Sequence, residues 1–410
     1  MRVVSERFAA LDVHKKSVTA CARVPDPGGG RAQHVATFTT FHHDLVALGD
    51  WLAGLGVTGV AMESTGVFWK PVWWALEDRF ELLLVNARHV HNLPGRKTDV
   101  ADAAWLCELG ECGLLRGSFV PDPVFRELRD LTRYRRRQVE SHTRESQRLT
   151  KVLEDAGIKL DSVASKTLTV SGRQMIEALC DGERDPAVLA DMARTRMRAK
   201  INELEQALVG RFGDHHAVMC RTILARVDDL EAAIATLDGQ VERVIEPFAL
   251  HRDRLCTIPG VAERTAETII AEIGVDMDRF PTSGHLASWA GMCPGNNESA
   301  GRHFSGRTRP GNKWLRAALT QAAWAASRTG DTYLRAQFWR IAGRRGKQKA
   351  AVAVGHSILV IAWHILANEA DYHELGGDWF AERHNTAARQ RWLVNQLEAL
   401  GNTVTLAPAS

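Results

Sequence analysis

The sequence predicts an α/β domain with a mixed sheet over residues 1–120 and a long helical, coiled-coil-like middle over 121–250. A mostly helical part over 251–385 follows, then a helix and tail at 386–410. Three observations predict this. Short β-branched and apolar runs alternate with helical patterns as far as Gly110, as they do where strands pack with helices. From Pro121 the pattern falls on 3- and 4-residue steps instead. Beyond Leu255 the chain reads as helices separated by Gly- and Pro-bearing turns.

Residues 7–24 alternate loosely and are β-branched, which predicts a strand or hairpin, and HVATFTT at 34–40 predicts another strand. The Gly-rich PDPGGG at 25–30 reads as the loop between them. Residues 43–54 look helical, VTGVAME at 57–63 reads as a buried strand, and FWKPVWWALEDRF as a helix opened near Pro71. ELLLVNA at 81–87 is a further strand, and a helix follows from Thr98 or Asp99 to about Gly110. The middle carries a seam from Val124 through Leu128, Leu131, Arg135, Gln138, His142 and Leu149 to Ala156, apolar at its ends and polar at its centre. A second helical stretch, roughly 186–250, fits either an antiparallel partner for it or a dimerising coiled coil. From Leu255, LCTIPGVAERTAETIIAEIG predicts helix, tight turn and helix. A loop over 281–313, a helix over 313–327 and another over 350–369 complete the expectation.

Net charge is only +3, but its distribution is uneven. Between Ser299 and Ala350 twelve Lys/Arg face one acid, Asp331. A region so one-sided suits a polyanion, since ordinary surfaces mix both signs. A second basic stripe runs along the middle, including Arg133, Arg136 and Arg137. No uninterrupted run of 18 apolar residues occurs, so no membrane-spanning helix is expected. The N-terminus does not read as a signal peptide. Seven cysteines without a CxxC pair fit neither a zinc ribbon nor a disulfide framework, and are expected to be reduced thiols of a cytoplasmic, nucleoid-associated protein.

Four acids stand out. Asp12 lies inside the first strand between Leu11 and Val13, and Glu63 ends a later strand. Asp99 and Asp102 are three apart at a helix start, so both can face one way. Glu63 and Asp99 also have ordinary readings, as a helix-start acid and a helix cap. Asp12 is harder to explain so, because a mid-strand Asp opposes β-propensity and is costly to bury alone. Carboxylates of this kind hold hard divalent cations, and a pair of ions clamps the attacking and leaving oxygens of a phosphodiester.

The segments LDVHKKS, AMESTGVFWKPVWWAL and GRKTDVADAAWL resemble, in order and spacing, the N-terminal DEDD domain of one insertion-sequence transposase family. Its members are RuvC-like, bridge-RNA-guided recombinases. The resemblance implies an RNase H-like fold and puts the family's four acids on Asp12, Glu63, Asp99 and Asp102, with Mg²⁺ (or Mn²⁺) bound there. Further on, FPTSGHLASWAGMCPGNNESAGRHFSGRTRPGNKWLRAALTQAAWAAS resembles the C-terminal domain of the same family. There the likeness implies that Ser299 attacks DNA and forms a phosphoserine link, in a composite site shared between subunits. Ser305 is the competing candidate, and loop serines are far more often structural.

Arg302, Arg307, Arg309 and Lys313 follow this serine and suit a phosphate with developing charge. Lys97, Arg316, Arg344, Arg345 and Lys347 are further candidates for nucleic-acid contact. The Pro259–Gly260 turn looks like a helix-hairpin-helix that offers backbone N–H groups to a phosphate. Trp324 and Trp363 sit in apolar helices and read as core, whereas Trp314 and Trp339 stay open between stacking and packing. His356 and His364 read as core or interface residues rather than ligands.

The expectation is therefore a DNA recombinase of a mobile element that cuts and rejoins strands. Its partners would be DNA, a guide RNA implied by the resemblance alone, and copies of itself in a dimer or tetramer. No membrane partner is expected. A hydrolytic nuclease acting on branched DNA would need the four acids but not the serine. A non-catalytic nucleic-acid-binding scaffold would need neither.

Overall fold

The computed structural model describes residues 3–63, 66–86, 99–295, 297–299, 302–306, 308–382 and 386–406. The chain forms two units, Met1–Val120 and Pro121–Ser410.

In the first unit, strands β1 (Phe8–Val13), β2 (Ser17–Pro25) and β3 (Arg31–Thr39) form an antiparallel meander. Helix α1 (His42–Gly54) leads to β4 (Gly59–Glu63), and α2 (Trp69–Leu76) to β5 (Glu81–Val85). Both later strands run parallel to β1, giving the order β3-β2-β1-β4-β5. Helix α3 (Asp99–Glu111) closes the unit.

The pleat sorts side chains between two faces. Ala9, Leu11 and Val13 of β1 and Val60 and Met62 of β4 share a core with Leu45, Leu48 and Leu52 of α1 and Val72 and Leu76 of α2. Phe8, Ala10 and Ala61 on the opposite face share one with Ala103, Leu106 and Cys107 of α3. Covered on both sides, β1 and β4 read as near-continuous apolar runs rather than as alternation. Glu111, at the end of α3, is 3% exposed and holds Arg23 of β2 at 3.1 Å and Arg31 of β3 at 2.7 Å.

The second unit opens on α4 (Pro123–Asp155), whose Pro123 stands in the first turn, where no N–H is needed. Its last turns pack with α5 (Val170–Cys180) and α6 (Ile201–Ala207) through Leu149, Leu153, Met175, Ile176, Leu179 and Leu204. Helix α7 (Asp214–Ile245) then returns along α4. Three side-chain pairs fix its direction: Arg135–Asp238 at 2.9 Å, His142–Glu231 at 3.1 Å and Asp155–His216 at 3.1 Å. Rising numbers on α4 meet falling numbers on α7, so the pair is antiparallel. The seam that the sequence also allows as a dimer contact is covered by α7 of the same chain.

The helical stretch expected over 186–250 is broken before α7. Gly210 lies against the end of α4, where an added methyl would overlap the Ala156 carbonyl, and Arg211 N–H donates to that carbonyl at 2.7 Å. The chain needs this crossing to turn from α6 into α7.

Helices α8 (Ala249–Cys256) and α9 (Glu263–Ile273) follow; α9 is the second helix that the sequence predicts, whereas α8 lies almost wholly before Leu255, where the first was expected to begin. Glu267 of α9 explains the polar seam. Arg135, 5% exposed, pairs with it at 2.5 Å as well as with Asp238. Truncating one member of such a pair strands its partner in the interior. Arg135→Ala is expected to cost about 3–5 kcal/mol, read as a lower urea midpoint at constant m-value. Arg135→Met combined with Glu267→Leu is expected to cost much less, because no charge is left alone.

The segment expected as a loop over 281–313 contains helix α10 (Ser283–Trp289) and a hairpin of β6 (Asn297–Ser299) and β7 (Arg302–Ser305). Helices α11 (Lys313–Ala326), α12 (Tyr333–Arg345) and α13 (Lys347–Asn368) build a bundle, and α14 (Thr386–Ala399) follows. Helix α12 escapes the sequence reading because cations interrupt its apolar row, of which Leu334 and Phe338 are buried. Helix α13 is long and apolar enough to cross a membrane by length and composition alone, although the sequence predicts no spanning helix. His356, Ser357 and His364 hide its length from a search for unbroken apolar runs. It packs against α10, α11 and α12 with Val354, Ile358 and Leu359 buried.

Candidate active site

The acids of the first unit gather at one end of the sheet. In the β1–β4 pairing every partner number differs by 51, from Phe8↔Gly59 to Leu11↔Met62. One step further on, the same offset sets Asp12 beside Glu63. Both follow the α3-facing positions by two residues, Asp12 after Ala10 and Glu63 after Ala61, so both belong to that face. Strands are spaced about 4.8 Å apart, and two like charges so held repel by roughly 3 kcal/mol at an effective dielectric of about 20.

Helix α3 brings the other two acids to the same end. Cys107 Sγ–H donates to the Phe8 carbonyl at 3.2 Å, and Glu111 accepts from the Val4 and Ser5 N–H groups, so the end of α3 lies at the start of β1. The helix therefore runs antiparallel to β1. Asp99 is ~12 Å back along its axis from Cys107, and Asp12 is ~13 Å forward from Phe8. The first turn of α3, with Asp99 and Asp102, thus comes level with the carboxylate end of β1. Asp102 is exposed.

Asp12 is 14% exposed and its Oδ2 lies 3.1 Å from His14 Nε2, a contact the sequence reading missed. The signal was there in the spacing, since residues two apart on an extended chain face the same way. Asp12 and Glu63 at the end of parallel strands, with two more acid positions in the first turn of α3, offer an all-oxygen set of the kind that fits a hard divalent cation. Asp155, His215 and His216 also come within 4.8 Å of one another, at the end of the α4–α7 pair. There the Gly213 N–H donates to His216 Nδ1 at 3.1 Å, so Nε2 carries the hydrogen and gives it to Asp155. That trio is a helix cap with no imidazole lone pair to spare on His216.

In the second unit Ser299 ends β6, and its backbone is registered opposite Arg302, the first residue of β7. Ser305 sits at the other end of the hairpin, opposite Asn297. The expected Gly-rich loop is thus a short strand pair. Its two legs meet in a backbone clasp: a methyl on Gly311 would overlap Ala290 and Gly291, and Gly291, at φ +68°, is itself close to the Arg309 carbonyl. Asn312 caps α11, accepting from Trp314 N–H at 3.0 Å and Leu315 N–H at 3.1 Å, and donates from Nδ2 to Glu272 at 2.6 Å. Gly311→Ala forces these legs apart. It is expected to cost about 1–3 kcal/mol of stability by urea unfolding.

The cations divide into two groups. Arg133 gives both arms to Glu272, at 2.7 Å each, and also lies over the Trp314 ring with Arg137 and Lys313. Arg136 pairs with Glu140 at 3.1 Å. Lys347 lies over Trp339, 5.5 Å from the ring centroid. Arg302, Arg309, Arg344 and Arg345 are exposed and Arg316 is half-buried. Lys97 and Arg307 lie outside the described residues. At the Pro259–Gly260 turn, Gly260 has φ +87° and its Cα is pressed onto the backbone of Ala322 and Ala326 in α11. Packing accounts for this glycine, and the Val261 N–H is spent on the Ile258 carbonyl at 3.0 Å. Trp363 donates to the Phe280 carbonyl at 2.9 Å and Trp324 packs on Phe338, as core residues do.

Residues 9–158 match a DEDD transposase family profile of the IS110 type, and residues 252–340 match the transposase IS116/IS110/IS902 family. The chain belongs to the IS110 family of transposases. Among its relatives is an uncharacterized 43.6 kDa protein of insertion element IS110 from Streptomyces coelicolor. It is 28% identical over 256 residues, covering 57% of this chain and 61% of that protein. A mini-circle protein of the same organism, named as a transposase of IS117, is 33% identical over 106 residues, 25% of this chain and 26% of its own length. The pilin gene-inverting protein of Moraxella bovis is 23% identical over 380 residues, 88% of this chain and 96% of its own. The first family match takes in Asp12, Glu63, Asp99 and Asp102, and the second takes in Ser299 with its clasp.

Proposed function

We propose that this chain is the transposase of an insertion sequence, cutting and rejoining DNA strands through Ser299, with Mg²⁺ (or Mn²⁺) at Asp12, Glu63, Asp99 and Asp102. The observation that carries this reading is the gathering of the four acids at one end of a β3-β2-β1-β4-β5 sheet. That strand order supports an RNase H-like reading of the first unit. A divalent ion, when bound, supplies Lewis-acid stabilisation of charge on phosphodiester oxygens.

The remaining chemistry belongs to the chain's own residues. The Ser299 hydroxyl loses its proton and attacks the phosphorus, a phosphoserine ester forms, and the bond to the leaving sugar oxygen breaks as that oxygen takes a proton. Attack by a strand hydroxyl on the phosphoserine reverses the step and joins DNA. Arg302, across the hairpin from Ser299, is suited to the phosphate oxygens. The α8–α9 turn acts as a helix-hairpin-helix through the first N–H groups of α9 rather than through Gly260. Guidance by a noncoding RNA and assembly as a dimer or tetramer rest on family likeness, as does the composite site. The exposed cations of the second unit suit DNA and RNA alike.

A denaturing protein gel tests the reading. With Mg²⁺, end-labelled element DNA and co-purified RNA, wild type is expected to give a protein–DNA adduct and Ser299→Ala none. If Ser299→Ala still cuts while Asp12→Ala does not, the protein is a hydrolytic nuclease and the serine assignment is wrong.

A further inference from the structure

A cavity of about 940 Å³ opens between α11, α12 and α13. Its wall includes Pro294, before β6, and Gly306 and Thr308, after β7, so it lies at the root of the hairpin that bears Ser299. Three cations line it: Arg316 of α11, Arg345 of α12 and Lys349 of α13. No acid stands among the described residues that line it. Elsewhere in this unit Arg135, Arg173, Arg252 and Arg264 are all held by carboxylates. Among the described residues none of the three cavity cations has an ion-pair partner, and three like charges left facing one space call for an anion.

The rest of the wall is uncharged. Met292, Val352 and Ala353 supply apolar surface. Gln337 donates Nε2–H to Ser357 Oγ at 2.9 Å, and its Oε1, shielded from solvent, has no hydrogen-bond partner. Burial holds His356 below the ordinary imidazole range, so the ring is neutral near pH 7, with one N–H and one lone pair. Cations for a phosphate, neutral edge groups and an apolar floor, in a space of ligand-binding size, describe a nucleotide rather than a bare anion.

We propose that this cavity takes one nucleotide of the DNA strand being cut, with its phosphate against Arg316, Arg345 and Lys349 and its base edge toward Gln337 and His356. The proposal rests on the transposase reading and adds to it the place where the strand beside the reacting phosphate is held. No Phe, Tyr or Trp lines the cavity among the described residues, so the base is held by its edge rather than between large rings.

The test uses the full-length protein and a fluorescent single-stranded DNA of element-end sequence, carrying an iodinated pyrimidine next to the cleavage position. Arg345→Gln with Lys349→Gln, both at exposed positions, is expected to weaken binding about tenfold. It is also expected to flatten the slope of log affinity against log salt by about 0.7, for the one phosphate these cations hold. Irradiation is expected to crosslink the DNA within residues 337–357. Ser299→Ala is expected to bind and crosslink like wild type. Unchanged affinity and salt slope in the double variant, or crosslinks mapping elsewhere, overturn the proposal. RNA of the same sequence that binds more tightly and crosslinks at this wall overturns the assignment to DNA. A wild type that forms the crosslink but no covalent adduct overturns the serine reading and supports the cavity.

Discussion

Asp12→Asn is expected to lower metal-dependent strand cleavage by at least about 100-fold while leaving the fold intact. The substitution keeps the shape of the side chain and removes its charge. Asp12 stands next to Glu63 across the parallel β1–β4 pair, with the first turn of α3 level with it. Removing one of two neighbouring negative charges relieves their repulsion, so the metal-free melting temperature should stay the same or rise. A structural acid would behave in the opposite way, losing stability and leaving chemistry alone. The decisive measurement pairs a cleavage time course with a melting curve in chelator. Cleavage at the wild-type rate would remove Asp12 from the metal site.

Glu272→Ala is expected to cost about 3–5 kcal/mol of stability in the second unit, as large a loss as that expected for Arg135→Ala. Glu272 is fully buried and holds three donors: Arg129 at 3.4 Å, Arg133 at 2.7 Å and Asn312 at 2.6 Å. Burial pushes the Arg129 guanidinium down to about 10, and Glu272 is the larger of two charges that oppose this, ahead of Asp130. The Ala271 and Glu272 carbonyls also accept from Arg129, but neither carries the full negative charge that the carboxylate supplies. Glu272→Gln keeps an acceptor of the same shape and should cost less than the alanine change. Urea unfolding of both variants checks the order. An alanine variant as stable as wild type would show that the cluster contributes nothing net.

The first unit was legible because its signals are local. Strands β1, β4 and β5 are short, largely apolar runs closed by turn residues, and Asp12 breaks the first of them conspicuously. The offset that joins Asp12 to Glu63 is not local and appears only once the strands are paired. In the second unit the sequence showed long amphipathic helices but not their partners. Arg133, read as a nucleic-acid contact, is spent on Glu272, an acid 139 residues away that nothing in its own segment marks. Helix α12 was hidden by its cations, and the Ser299 hairpin by the glycines around it. Those glycines suggested a loop, whereas Gly291 and Gly311 serve a close crossing of two backbones.

That crossing has a consequence for how such proteins change. Residues 292–310 leave and rejoin the framework at one point, so the framework has already brought their ends together. Loop-closure entropy grows only logarithmically, and doubling a loop costs about 0.6 kcal/mol more. The segment can therefore lengthen, shorten or be exchanged as a cassette with little strain on the helices that carry it. Diversity in what the tip touches is thermodynamically cheap, while the clasp residues beneath it are not free to vary.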